Sequence, residues 1–215
     1  MNSLLTDSGN KKLSPFAHLI PPNLLTLCGL AFSLLAVQEA SRHRIVLGAA
    51  WLMLAGLTDL FDGLLARRWK RSEEQIEVGK QLDSLVDLVS FGFAPVLFAW
   101  FSGLRGIAGE VPLLFYFLAC ALRLAIFNAR PTQGYYRGLP VTYIGLWLPL
   151  SVATTGFFGK PLLPWVLGSG FLIHGVLMHV DRKFPKPGGI WYGIFPAIAV
   201  GLAGAFFFLG LTKVW

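Results

Sequence analysis

Four aspartates hold most of the chemistry this chain can do. Asp59, Asp62, Asp83 and Asp87 are four of the eleven acidic residues, and all four stand at the edges of strongly apolar runs. A carboxylate next to lipid is costly unless something pairs with it, so a functional site is the first reading. Four carboxylates facing one another cannot all stay ionised without cations between them. No His or Cys joins the set, and all-oxygen ligation selects Mg²⁺, Mn²⁺ or Ca²⁺ over zinc. Two divalent ions would neutralise the four charges. Gly63, Ala66 and Gly79 clear space beside the acids, as a bulky ligand requires. Arg67, one turn beyond, is a fixed cation suited to phosphate oxygens. Together these residues describe a site for a diphosphate.

Each residue also has a plainer use. A lone intramembrane Asp serves a proton relay or a helix-packing hydrogen bond, and Gly and Ala on membrane helices mark close packing. Packing does not require all of these residue types in this order, and the joint pattern therefore favours a ligand site.

The elements that must position these groups are membrane helices. Of 215 residues, 55% are hydrophobic and only 13% charged, with a mean hydropathy of +0.63. Soluble domains carry about twice that share of charge. The expected fold is all-α: one polytopic transmembrane domain over residues 1–215, with 1–19 as an N-terminal cytoplasmic or interfacial segment. The net charge of +7 fits basic cytoplasmic loops better than nucleic-acid binding. Cys28 and Cys120 lie in apolar runs and form neither a disulfide framework nor a metal site. The polar stretch to Leu13 lacks the apolar core of a signal peptide.

Seven apolar runs approach the roughly 20 residues that a bilayer demands. They cover about Leu24–Ala40, Ile45–Arg67, Gly79–Phe101, Val111–Ala129, Gly138–Phe158, Leu163–Val180 and Ile190–Leu211, with Ser14–Ile20 as a short interfacial helix. Six spans is the alternative count, because Gly159-Lys160-Pro161 is a short connection. The charged segment Arg68–Val78 reads as a loop. With the N-terminus inside, thirteen of the eighteen Lys and Arg residues fall on the cytoplasmic side, as the positive-inside bias expects. The four acids then lie near the cytoplasmic face. Seven tryptophans and five tyrosines suit an interfacial belt. At 100° per residue, Asp59, Asp62, Gly63, Ala66 and Arg67 share an arc of about 140° on the second helix. Gly79, Asp83 and Asp87 span about 80° on the third, with Ser90 and Ala94 continuing that face. Helices joined by a short connection are antiparallel neighbours, so the two acidic faces can meet.

Asp59-x-x-Asp62-Gly63-x-x-Ala66-Arg67 followed by Gly79-x-x-x-Asp83-x-x-x-Asp87 resembles the signature of the CDP-alcohol phosphotransferases. Those membrane enzymes transfer a phospho-alcohol from a CDP-linked donor to an acceptor hydroxyl and release CMP. Eleven residues separate Arg67 from Gly79 where the family commonly has about eight, a difference that falls in a tolerant solvated loop. The resemblance implies that Asp59, Asp62 and Asp83 hold metal, and that Asp87 completes the second metal site and acts as general base. It places Gly63, Ala66, Arg67 and Gly79 around the nucleotide and its phosphates. Pro22-Asn23-x-x-Thr26 also resembles the family, which implies that Asn23 and Thr26 help shape the cytidine pocket.

Leu82 to Pro95, Ala121-Leu122-Arg123-Leu124-Ala125-Ile126-Phe127-Asn128 and Gly138-Leu139-Pro140 are similar to the phosphatidylserine synthases of bacteria and archaea. That likeness implies CDP-diacylglycerol and L-serine as substrates, two Mg²⁺ or Mn²⁺ ions with Ca²⁺ as another occupant, and a homodimer in the cell membrane. Ser90, Arg123, Asn128 and Arg130 are the candidates for the acceptor or the lipid phosphate. Related enzymes have an arginine at Ile126; Arg130 lies about 20° from Arg123 around an ideal helix and is placed to supply that cation. The alternative acceptors are inositol phosphate and glycerol phosphate. A cation- or proton-coupled transporter is the alternative of another kind, although it gives no reason for Arg67 and the small residues.

Overall fold

The computed structural model describes residues 14–130, 135–185 and 191–212. Seven helices follow one another there: α1 (Pro21–Ser41), α2 (Ile45–Arg68), α3 (Glu73–Phe101), α4 (Ile107–Ala129), α5 (Ile144–Phe158), α6 (Leu163–Leu177) and α7 (Trp191–Leu211). The protein is an all-α helical membrane bundle. Helices α1 to α4 are each long and apolar enough to cross a bilayer. Helices α5 and α6 have 15 residues each, about 22 Å of rise against a hydrocarbon core of about 30 Å. Both are shorter than the apolar runs that contain them. The first part of the Gly138–Phe158 run forms a 3₁₀ turn, Val141–Tyr143, and helix α6 stops at Leu177.

Helix α2 is the hub, packing against α1, α5 and α7. Prolines 21 and 22 open α1 at positions where no intrahelical N–H is needed. A tight turn with His43 at φ 60° leads into α2. There Glu39 holds Arg42 at 3.3 Å and Arg44 at 2.7 Å, which ties the end of α1 to the start of α2. In lipid, helices associate through close packing and hydrogen bonds rather than water exclusion. Gly29 supplies the close approach between α1 and α2, because a Cβ there would overlap the Thr58 hydroxyl.

The start of α3 corrects the expected loop. The helix begins at Glu73, inside the segment Arg68–Val78. Ser72 Oγ accepts from the Gln75 backbone N–H and the Gln75 side chain accepts from the Ser72 N–H, while Glu73 and Glu74 occupy the first turn. This capping box and the two acids stabilise a helix start at that point. The residues between Arg67 and Gly79 are thus largely helical. Directly after Asp87, α3 widens into a π-helical turn, Leu88–Phe93. The buried Tyr116 hydroxyl on α4 donates to the Phe91 carbonyl at 2.6 Å, giving that turn an outside partner.

At the end bearing the α2–α3 connection, the chain closes on itself twice. The turn Pro15–His18 docks on α3 through Gln75 Nε2, which donates to the Ala17 carbonyl at 2.7 Å. Two short segments, one after α4 and one after α6, pair as an antiparallel two-stranded sheet. Strand β1 (Tyr135–Arg137) aligns Tyr136 with Phe184 of β2 (Lys183–Pro185). Arg137 and Asp181 form a bidentate pair at 2.6 and 2.7 Å. Gly138, at φ 78°, passes too close to the Met178 carbonyl for any side chain. The basic run Arg182-Lys183-x-x-Lys186 reads from the sequence as a loop that sets topology; its Lys186 lies outside the described residues.

Candidate active site

Helices α2 and α3 run antiparallel from the four-residue connection 69–72, and their acidic faces do meet. One carboxylate oxygen from each of Asp59, Asp83 and Asp87 lies within 4.8 Å of the other two. Oxygen ligands 2.0–2.6 Å from a shared ion stand roughly 3–5 Å apart, so this group fits a hard divalent cation. The i, i+4 spacing on α3 puts Asp83 and Asp87 one turn apart on one face. Asp62 is placed differently. It is 4% exposed, and its Oδ2 accepts a 2.5 Å hydrogen bond from Thr26 Oγ1 on α1. The fourth acid is therefore held by α1 rather than standing inside the tight group of three.

A cavity of about 540 Å³ opens beside the acids. All four aspartates, Gly63, Arg67 and Arg123 line it, together with the aliphatic side chains of Leu146, Leu150, Ile198 and Leu202. Gly63 borders open space: a Cβ there would meet nothing within 4 Å. Arg123 is 6% exposed, its guanidinium lies 5.6 Å from the Phe127 ring centre, and its Nε finds no hydrogen-bond acceptor among the described residues. A buried, incompletely satisfied guanidinium is suited to a carboxylate or phosphate.

Other sequence candidates occupy separate places. Asn23, 3% exposed, donates from Nδ2 to the His18 carbonyl at 2.9 Å, and a Cβ on Gly79 would stand 3.2 Å from Asn23 Oδ1. Gly79 thus makes room for the Asn23 amide, and neither residue lines the cavity. Ala66 is half-buried on α2 and is not a lining residue either. Asn128 exchanges hydrogen bonds with Ser84 at 2.8 and 3.1 Å, joining α4 to α3. Arg130 follows the end of α4 with φ −140° and ψ 70° and is exposed. The ideal helical arc that would set it beside Arg123 has already ended. Ser90, 1% exposed, lines a separate small pocket with Asp59, Asp62 and Asp87 and does not line the cavity.

Sequence reasoning missed much of the rest of the cavity lining. Tyr136 on β1, Tyr143, Leu146 and Leu150 around α5, and Ile198 and Leu202 on α7 all line the cavity. The adjacent tyrosines 135 and 136 were the one local signal. Helix α7 is apolar on all sides and carries no periodicity that marks one face. Thr58, buried in the structure, was also missed, although a hydroxyl directly before Asp59 was visible in the sequence.

Comparison with known proteins adds three similarities and one family. A family model described as CDP-alcohol phosphatidyltransferase matches residues 19–181. A Mycobacterium tuberculosis protein is 29% identical over 207 residues, covering 86% of this chain and 70% of its own. A Bacillus subtilis protein is 29% identical over 167 residues, covering 76% and 89%. A Saccharomyces cerevisiae protein is 36% identical over 172 residues, covering 67% and 60%. All three relatives are named CDP-diacylglycerol–serine O-phosphatidyltransferase.

Proposed function

We propose that this chain, which belongs to the CDP-alcohol phosphatidyltransferase family, transfers the phosphatidyl group of CDP-diacylglycerol to the hydroxyl of L-serine. The observation that carries the reading is one cavity whose wall includes both four aspartates with two arginines and a set of aliphatic side chains. A liponucleotide has the matching polarity, a diphosphate joined to acyl chains. The names of the relatives support serine, and so does Arg123, a single buried cation suited to one carboxylate. Inositol phosphate or glycerol phosphate would ask for more cations than Arg67 and Arg123 among the described lining residues.

Asp59, Asp83 and Asp87 would hold one divalent cation, Mg²⁺ or Mn²⁺, and Asp62 with its neighbours a second. Bound there, such ions supply charge neutralisation for the donor diphosphate and the departing nucleotide. Arg67 binds phosphate oxygens at the mouth, and the open flank of Gly63 lets the diphosphate approach α2. Arg123 orients the serine carboxylate. Asp87 takes the serine hydroxyl proton as that oxygen attacks the phosphorus bearing diacylglycerol. The new P–O bond forms, the P–O bond to CMP breaks, and CMP leaves beside Arg67. The acyl chains stay along α5 and α7.

Residues 1–215 act as one domain. The N-terminus and the acids face the cytoplasm, on the strength of the Lys and Arg bias, and two copies pair as a homodimer, as the family resemblance implies. The test is purified protein with CDP-diacylglycerol, Mn²⁺ or Mg²⁺ and a panel of labelled alcohols. Labelled phosphatidylserine is the expected product. Product from inositol phosphate with none from serine overturns the choice of acceptor.

A further inference from the structure

Next to the carboxylates, α1, α2 and α3 line a second, small pocket of about 10 Å³ that shares Asp59, Asp62 and Asp87 with the large cavity. Its walls include Thr26, Thr58, Asp59, Asp62, Asp87 and Ser90. Ser90 is 1% exposed and its hydroxyl has no hydrogen-bond partner among the described residues. The other two hydroxyls have committed their protons, Thr58 to the Ala55 carbonyl at 2.7 Å and Thr26 to Asp62, and keep oxygen lone pairs. A buried hydroxyl is expected to find a partner. Ser90 owes its place to the π-helical turn Leu88–Phe93. This change of helical phase begins right after Asp87.

We infer that this pocket binds one ordered water, through which Ser90 and Thr58 fix the Asp87 carboxylate. The volume suits one water and excludes a hydrated ion, and the walls offer more than the two to four polar partners that a buried water requires. The water accepts from Ser90 Oγ and donates to Asp87 and to a threonine oxygen. Ser90 and Thr58 are positioning residues, acting on a cation-holding acid as outer partners do on metal ligands. The inference rests on the reading of Asp87 as a metal-holding acid.

The test is Mn²⁺ alone, titrated into the full-length protein in detergent, for wild type, Ser90→Ala, Thr58→Val and the double variant, with thermal unfolding to check the fold. Each single change is expected to weaken Mn²⁺ binding by roughly 10-fold or more, the scale of outer-partner losses at metal sites. The double variant is expected to be no weaker than the poorer single, because both act through one water. Wild-type affinity in a folded Ser90→Ala protein overturns the inference, as does a double-variant loss equal to the product of the two singles. A wild-type protein that binds Mn²⁺ as described but makes no phosphatidylserine refutes the proposed reaction and leaves this water site standing. Absence of Mn²⁺ binding overturns both.

Discussion

Removing the Thr26 hydroxyl tests how Asp62 is held. Thr26→Val keeps the shape of the side chain and deletes the 2.5 Å donor to Asp62 Oδ2. That distance is in the range of charge-assisted O–H···O⁻ bonds. Asp62 is 4% exposed, so water cannot readily replace the lost donor. A hydrogen bond to a charged group contributes about 1.5–3 kcal/mol, equivalent to roughly a 10- to 150-fold change in an equilibrium constant. If Asp62 helps to hold a cation, that loss falls on cation affinity. The midpoint of Mn²⁺ activation should rise roughly 10- to 100-fold, the span seen for outer partners of metal ligands, and saturating Mn²⁺ should restore much of the rate. The assay is CMP release against Mn²⁺ concentration. Thr26 Oγ1 also lies 3.1 Å from the Pro22 carbonyl oxygen. A wild-type Mn²⁺ midpoint in Thr26→Val would mean that the hydroxyl serves that carbonyl, and would refute the role given to it here.

Other outcomes are equally specific. Arg123→Ala should raise the KM for serine roughly 10- to 100-fold with CDP-diacylglycerol binding kept, from loss of a charge-assisted bond of about 1.5–3 kcal/mol; an unchanged serine KM removes Arg123 from the acceptor site. Gly63→Leu should fold normally, since a Cβ there meets nothing within 4 Å, and should lose donor binding because the side chain enters the cavity; full activity would show that the donor binds elsewhere. The Asp181 carboxyl is held below its ordinary value by the hydrogen bond from Arg137. Its contribution to the closure around β1 and β2 is thus present above the ordinary carboxylate range and is lost as pH falls through the lowered value. Asp181→Asn should bring the same loosening at neutral pH, read as faster amide exchange in Tyr135–Arg137, and unchanged exchange would contradict it.

The two acidic faces were legible because helical spacing and a short connection leave them few other arrangements. The same arithmetic failed wherever the helix departed from the ideal. Arg130 follows the end of α4, so the ideal arc that related it to Arg123 does not extend to it. Ser90 falls in the π-helical turn and lines the small pocket beside the acids, not the large cavity. Gly79 was legible as a cleared position, but the space serves Asn23. The helix start at Glu73 was readable in Ser72-x-x-Gln75, a local signal obscured by the charge of the segment. The cavity's apolar wall was not readable. Nothing in a uniformly apolar α7 says which side turns toward α2, and the pairing of β1 with β2 joins segments more than forty residues apart.

Serine-dependent CMP release by wild type and Asp87→Asn tests the central claim most directly. Wild type should release one CMP per phosphatidylserine formed, only when serine and a divalent cation are both present, and a chelator should stop it. Asp87→Asn should still bind CDP-diacylglycerol and release no CMP. Turnover by Asp87→Asn at the wild-type rate, or wild-type CMP release in metal-free buffer, would contradict the account.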